Sequence, residues 1–152
     1  MKWVRYQSDG KTFYGILEGD TVKEVYGSPF DSYTESGTLH NYESIELLPP
    51  VNPPTFYAAG INYEKHVREA AALLGTEPNI PDKADIGYRA PNALIAHGQP
   101  IIVPKDATEK VQYEAELVVV IGKETKNISE SNSLDCVLGY SVGNDVSERT
   151  WQ

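Results

Sequence analysis

The sequence contains a single cysteine, Cys136, in 152 residues. That excludes an intrachain disulfide and a cysteine-ligated zinc cluster. Basic residues are scarce: 13 Lys and Arg stand against 22 Asp and Glu, giving a net charge of −9. Neutralising phosphates needs clustered Lys and Arg, and no such cluster occurs, so neither a nucleic acid nor an anionic membrane is an expected partner. Long apolar runs are missing too. "ELVVVIG" and "ALIAHGQPIIVP" are too short or too broken to span a bilayer. The opening "MKWVRYQSDGKTFYG" lacks the apolar stretch of a signal peptide. A cytoplasmic protein is the default expectation. There is no G-x-S-x-G, no Cys-His signature, no G-x-G-x-x-G and no P-loop, so the familiar nucleophile and nucleotide motifs do not apply.

What is present is strand-rich. "KWVRYQ", "TFYGILEG" and "TVKEVYG" alternate and are separated by the turn signals "SDGK" and "EGDT", which predicts a small antiparallel sheet. Residues 29 to 54 are rich in Ser, Thr, Pro and Glu and close with "LLPPVNPP", read as an extended connector without helix. The domain boundary is placed near residue 50, dividing the chain into 1–50 and 51–152. Beyond it "TFYAAG" reads as a buried strand and "NYEKHVREAAALLG" as a helix ended by Gly75. Residues 76 to 92 read as a polar loop, long enough to be functional. Strands are expected at "ALIAHG", "PIIVP", "YEAELVVVIG" and "CVLGYSVGND", with a short helix or turn at "KNISESNSLD". The fold class expected is mainly β (α+β).

Within "VQYEAELVVVIG", Glu114 and Glu116 lie two residues apart in a predicted strand and share a face. Carboxylates about 7 Å apart along a strand repel unless a cation or proton intervenes. The apolar run behind them reads as buried on both faces. A solvated strand edge and a cation site at the mouth of a core are both open readings. Asp145 follows an apolar strand at a Gly-Asn-Asp turn, where satisfying local backbone donors is the competing role. Three carboxylates, with little cysteine or histidine, suit a hard divalent ion such as Mg²⁺ or Mn²⁺ better than zinc. His66 and Glu69 sit at i, i+3 on the predicted helix, an arrangement for a general base. With Glu64, Lys65 and Arg68 beside them, a solvated helix face is the alternative. His40 and His97 are expected in turns, without a chemical role.

Four segments in order, "AAGINYEKHVREA", "YRAPNALIAHGQPIIVP", "VQYEAELVVVIGK" and "GYSVGNDVSERTWQ", resemble the fumarylacetoacetate hydrolase family. They span most of residues 56 to 152. The first fifty residues resemble the small N-terminal β domain of many bacterial members. The resemblance implies that residues 51–152 are the first portion of the family's mixed β-roll. It implies Mg²⁺ or Mn²⁺ held by Glu114, Glu116 and Asp145, and His66 as the base that activates water, tuned by Glu69. Arg89, Arg149 and Gln152 then line the substrate pocket. Arg89 stands where family members usually carry lysine, so a planar fork replaces a point donor.

The activity implied is metal-dependent hydrolysis of a C–C bond in a small 2-oxo or 1,3-diketo acid. A 2-oxo acid decarboxylase, or a keto-enol isomerase or hydratase of aromatic catabolism, is the alternative on the same site. A homodimer is the family expectation for the full-length protein. The family's catalytic domain extends past the matched segments. The chain is therefore expected to be a portion of a full enzyme, with half of a split enzyme or an inert metal-binding remnant as the other readings.

Overall fold

The computed structural model describes residues 1–151. It divides into two compact units, one formed by residues 1–48 with 98–152 and the other by residues 49–97. The architecture is mainly β, every strand pairing being antiparallel among the described residues.

In the first unit, β1 (Trp3–Ser8), β2 (Lys11–Glu18) and β3 (Thr21–Gly27) form the meander that the alternating sequence predicts. Asp9 and Gly10, both at positive φ, make the two-residue β1–β2 turn that such a tight hairpin requires. The expected extended connector does not form as such. Tyr33–Asn41 is a strand (β4), a 3₁₀ turn follows at Tyr42–Ser44, and Glu46–Leu47 (β5) pairs with β1. The order β4-β3-β2-β1-β5 puts β4 on an edge, which is why its mostly exposed, polar sequence lacks a strand's apolar signature.

Tyr6, Ile16, Val22 and Val25 are buried at the centre of this sheet. Glu24 is buried with them and lies 3.2 Å from His40 Nε2. His40 is thus on β4 rather than in a turn, its ring edge-on to Tyr6. Among the described residues the buried Tyr6 hydroxyl has no partner in hydrogen-bonding geometry. Burial, then the charge of Glu24, pushes its pKa up to about 12.

The same unit contains two small ladders. β8 (Val111–Gln112) pairs with β11 (Ser147–Glu148), and β9 (Ala115–Ile121) pairs with β10 (Val137–Asn144). A 3₁₀ turn at Glu130–Cys136 occupies the region expected to hold a short helix or turn. The expected strand through residues 113–122 is broken at Tyr113–Glu114, and none of its residues is fully buried. Leu117, Val119 and Ile121 are exposed, with Tyr140 and Val142 opposite them on β10, so one face of the hairpin is apolar and open. The strands expected at 93–98 and 100–104 are absent among the described residues. A strand forms only where a neighbour accepts its ladder, and Ile101, Ile102 and Val103 remain exposed.

In the second unit, β6 (Phe56–Gly60) pairs with β7 (Asp85–Arg89). The expected loop 76–92 therefore contains a strand, short and mostly exposed, which hides it from a hydrophobicity pattern. Helix α1 spans Glu64–Leu74 and ends at Gly75, whose φ of 66° provides the left-handed cap that glycine adopts without a Cβ penalty.

Candidate active site

The carboxylate-bearing residues are assembled by strand register. Ala115 pairs with Asn144 and Glu116 with Gly143, so Glu114, Glu116 and Asp145 all fall at one end of the β9–β10 hairpin. The main chain is pinned there. The Asp145 N–H donates to the Glu114 carbonyl at 2.9 Å, and the Glu114 N–H donates to Asn144 Oδ1 at 3.0 Å. Glu114 lies just before β9, in the break between Val111–Gln112 and Ala115–Ile121, and its Oε1 forms an ion pair with Arg149 Nη1.

Glu116 projects on the hairpin face of Val118, Val120 and Ser141, opposite the open apolar face. Its cross-strand partner, Gly143, has no side chain to cover it. A Cβ placed at Gly143 would lie 2.8 Å from Val118 Cγ2 and 3.9 Å from Glu116 Cβ.

Among the described residues no three His, Cys, Asp or Glu side chains converge closely enough to hold a metal ion. The donor chemistry fits a hard divalent ion all the same: the backbone brings three carboxylates, and no thiol, to one hairpin end.

Arg149 is fixed from several directions. Its N–H donates to the Lys110 carbonyl at 3.1 Å, and its Nε donates to Gln112 Oε1 at 2.9 Å. The neighbouring Glu148 carboxylate accepts from Thr108 Oγ1, from the Thr150 N–H at 3.0 Å and from Thr150 Oγ1 at 2.6 Å. Desolvation pushes the Glu148 carboxyl up, but these hydrogen bonds outweigh it and hold its pKa below the usual carboxylate value. Neither Gln112 nor Asn144 stood out in the sequence. Asn144 could have been found as the neighbour of Asp145 in the turn, whereas Gln112 carries no local signal at all.

The remaining candidates belong to the second unit. His66 and Glu69 are both on the exposed surface of α1. Glu69 pairs with Lys65 at 3.7 Å, and Arg68 with Glu64 at 2.7 Å, so charge pairing along the helix occupies Glu69. His66 makes no hydrogen bond or ion pair among the described residues. Arg89, at the end of β7, borders a shallow concavity with Pro54, Phe56, Tyr88 and Pro91. Gln152 lies outside the described residues.

The fold is mainly β and carries three carboxylate residues at one hairpin end. Two family models match this chain, one described as fumarylacetoacetate (FAA) hydrolase C-terminal over residues 55–152, the other as Rv2993c-like, N-terminal over residues 1–50. The chain belongs to the fumarylacetoacetate hydrolase family. It is 44% identical over 110 residues to a fumarylacetoacetate hydrolase domain-containing protein 2 homolog from Dictyostelium discoideum, covering 72% of this chain and 34% of that one. It is 36% identical over 141 residues to the caffeoylpyruvate hydrolase of Neonothopanus nambi, covering 89% and 48%. The solved 5-carboxymethyl-2-hydroxymuconate delta-isomerase from Mycobacterium smegmatis superposes with a TM-score of 0.84 at 30% identity, over 100% of this chain and 57% of that one. The chain spans about half the length, or less, of the relatives it matches. By name those relatives include hydrolases, isomerases, tautomerases and decarboxylases. No helix among the described residues is long and apolar enough to cross a membrane.

Proposed function

We propose that this chain supplies the metal-binding part of an enzyme that cleaves a C–C bond in a small 2-oxo or 1,3-diketo acid. In this reading Glu114, Glu116 and Asp145 hold Mg²⁺ or Mn²⁺. The register that puts these three residues at one end of a hairpin is the observation that carries the proposal. When bound, such an ion supplies Lewis-acid polarisation of two substrate oxygens.

His66 takes a proton from water, whose oxygen then bonds to the substrate's carbonyl carbon. The C–C bond breaks, its electron pair passes to the enolate fragment, and that fragment is protonated on release. Glu69 orients the imidazole, which requires it to give up its exposed contact with Lys65, a weak pair in water. Arg89, Arg149 and Gln152 are assigned to recognition of the substrate's acid groups on the family resemblance alone. The division near residue 50 into a small β domain and a catalytic portion belongs to the same proposal, as do a homodimeric full-length protein and a cytoplasmic location.

A second reading, keto-enol isomerisation on the same site, is favoured by the similarity to the M. smegmatis isomerase. It needs His66 to move a proton on carbon instead of activating water.

Titration calorimetry with Mn²⁺ tests the site. The wild-type chain is expected to bind and Glu116→Ala to lose binding, whereas unchanged affinity in the variant leaves only a solvated strand edge. Cleavage of an acylpyruvate that needs added Mn²⁺ and is lost in His66→Ala supports hydrolysis. Conversion between keto and enol forms without cleavage supports isomerisation. Metal binding with no turnover of any 2-oxo acid makes the 152-residue chain an inert metal-binding unit.

A further inference from the structure

We infer that Glu148 is a positioning residue for Arg149: its carboxylate closes the turn that carries Arg149 and ties that turn to Thr108. The inference rests on the reading above, in which Arg149 recognises an acid group of the substrate, and gives a role to a residue which that reading leaves out.

Arg149 and Thr150 are the central residues of a β-turn. The Glu148 carbonyl accepts from the Trp151 N–H at 3.2 Å, the bond between first and fourth residues that closes such a turn. Glu148 closes it a second time through its side chain. There Oε2 accepts from the Thr150 N–H at 3.0 Å and from Thr150 Oγ1 at 2.6 Å.

The other carboxylate oxygen, Oε1, accepts from Thr108 Oγ1, 40 positions earlier in the chain. Thr108 Oγ1 in turn accepts from the Lys110 N–H at 3.1 Å, and the Lys110 carbonyl accepts from the Arg149 N–H at 3.1 Å. These bonds form a closed circuit around the Arg149 backbone, from Lys110 through Thr108 to Glu148 and back through the Arg149 N–H.

The circuit supplies what the adjoining ladder lacks. β8 and β11 pair only at Ser147 with Gln112 and at Glu148 with Val111, and Arg149 lies just past the end of β11. A turn fixes φ and ψ of its two central residues, so its closure decides the direction in which the Arg149 side chain leaves the backbone. From there Nε reaches Gln112 Oε1 at 2.9 Å and Nη1 reaches Glu114 Oε1. Hydrogen bonds to an ionised acceptor are roughly twice as strong as neutral ones, which suits a carboxylate to hold three donors at the end of so short a ladder.

The test compares the wild-type chain with Glu148→Ala, Thr108→Val and Thr108→Ser. Two readouts are taken: the Arg149 Nε–Hε signal in heteronuclear NMR, assigned by its loss in Arg149→Lys, and KM and kcat for Mn²⁺-dependent cleavage of an acylpyruvate. Glu148→Ala and Thr108→Val are expected to shift or broaden the Arg149 signal. Both should raise KM by about 10- to 100-fold, the scale on which small misplacements act, with kcat little changed. Thr108→Ser keeps the hydroxyl and should restore both readouts. Thr108→Val, at an exposed position, keeps the experiment decisive if Glu148→Ala does not fold.

Reduced stability in urea, with the Arg149 signal and KM both as in the wild type, overturns the inference and leaves Glu148 a purely structural residue. A fall in kcat at unchanged KM also overturns it, because Glu148 would then serve the chemical step. A wild type that turns over no acylpyruvate removes the reading above, and the Arg149 signal then decides alone. A signal displaced in Glu148→Ala upholds the positioning, and an unmoved one overturns it.

Discussion

Gly143 faces Glu116 across the hairpin, and replacing it by alanine is a sharp test of how that site is built. The added methyl carbon would sit 2.8 Å from Val118 Cγ2, against an optimum of about 3.5 to 4.0 Å for two carbons. Val118 is β-branched and has few rotamers to escape into, so the strand or the side chain must shift. Overpacking of this kind costs about 1 to 3 kcal/mol. Replacing a strand glycine by alanine returns roughly 0.5 to 1 kcal/mol of chain entropy. A net loss of about 0.5 to 2 kcal/mol follows, local to the hairpin. Hydrogen exchange of the amides in residues 115–121 and 137–144 reads that loss directly. Val118→Ala removes the obstructing methyl, so the double variant should be more protected than the two single costs predict together. Protection of Gly143→Ala equal to wild type, or strictly additive costs in the double variant, would refute the close approach between these strands.

Other expectations test the rest of the molecule. The Tyr6 phenol, raised from 10.0 to about 12, favours the neutral form in the fold. Its contribution is therefore full below about pH 10 and lost as the pH rises toward 12. By urea titration at a series of pH values, wild-type stability should fall across that window by no more than about 3 kcal/mol. Tyr6→Phe should flatten the fall, leaving the part due to Tyr14, which burial also raises. An identical slope in Tyr6→Phe counts against the assignment. The open face of the β9–β10 hairpin, where Val142 is 85% exposed, should bind a hydrophobic fluorescent dye and promote concentration-dependent association. Val142→Asp combined with Leu117→Lys should reduce both, and a monomeric, dye-free wild type would contradict the exposure of that face.

The first three strands were legible because their alternation and the Asp9-Gly10 turn are local signals. Helix α1 was legible through its charge-rich face and its Gly75 stop. β4 and β7 were not, for one shared reason. Each is exposed over most of its length, so polarity that reads as loop is compatible with a strand whose ladder is completed by one neighbour. The opposite error arose at residues 93–104, where apolar composition predicted strands that find no partner here. At the candidate site, residue types singled out the carboxylates that strand register brings to one hairpin end, but the break at Tyr113–Glu114 was invisible. There the Glu114 N–H is met by an Asn144 side chain 30 positions away.

By itself, the sequence determined the chemistry on offer. It provides carboxylates instead of thiols, a surplus of negative charge, and strand and turn propensities strong enough to form a meander. These are properties of single residues and short windows. Only the tertiary structure decided which groups meet. Glu114 is paired with Arg149, Glu24 is buried against His40, and Glu116 lies opposite Gly143. Such partnerships are set by strand register, and register depends on where a distant strand docks, which no local pattern specifies.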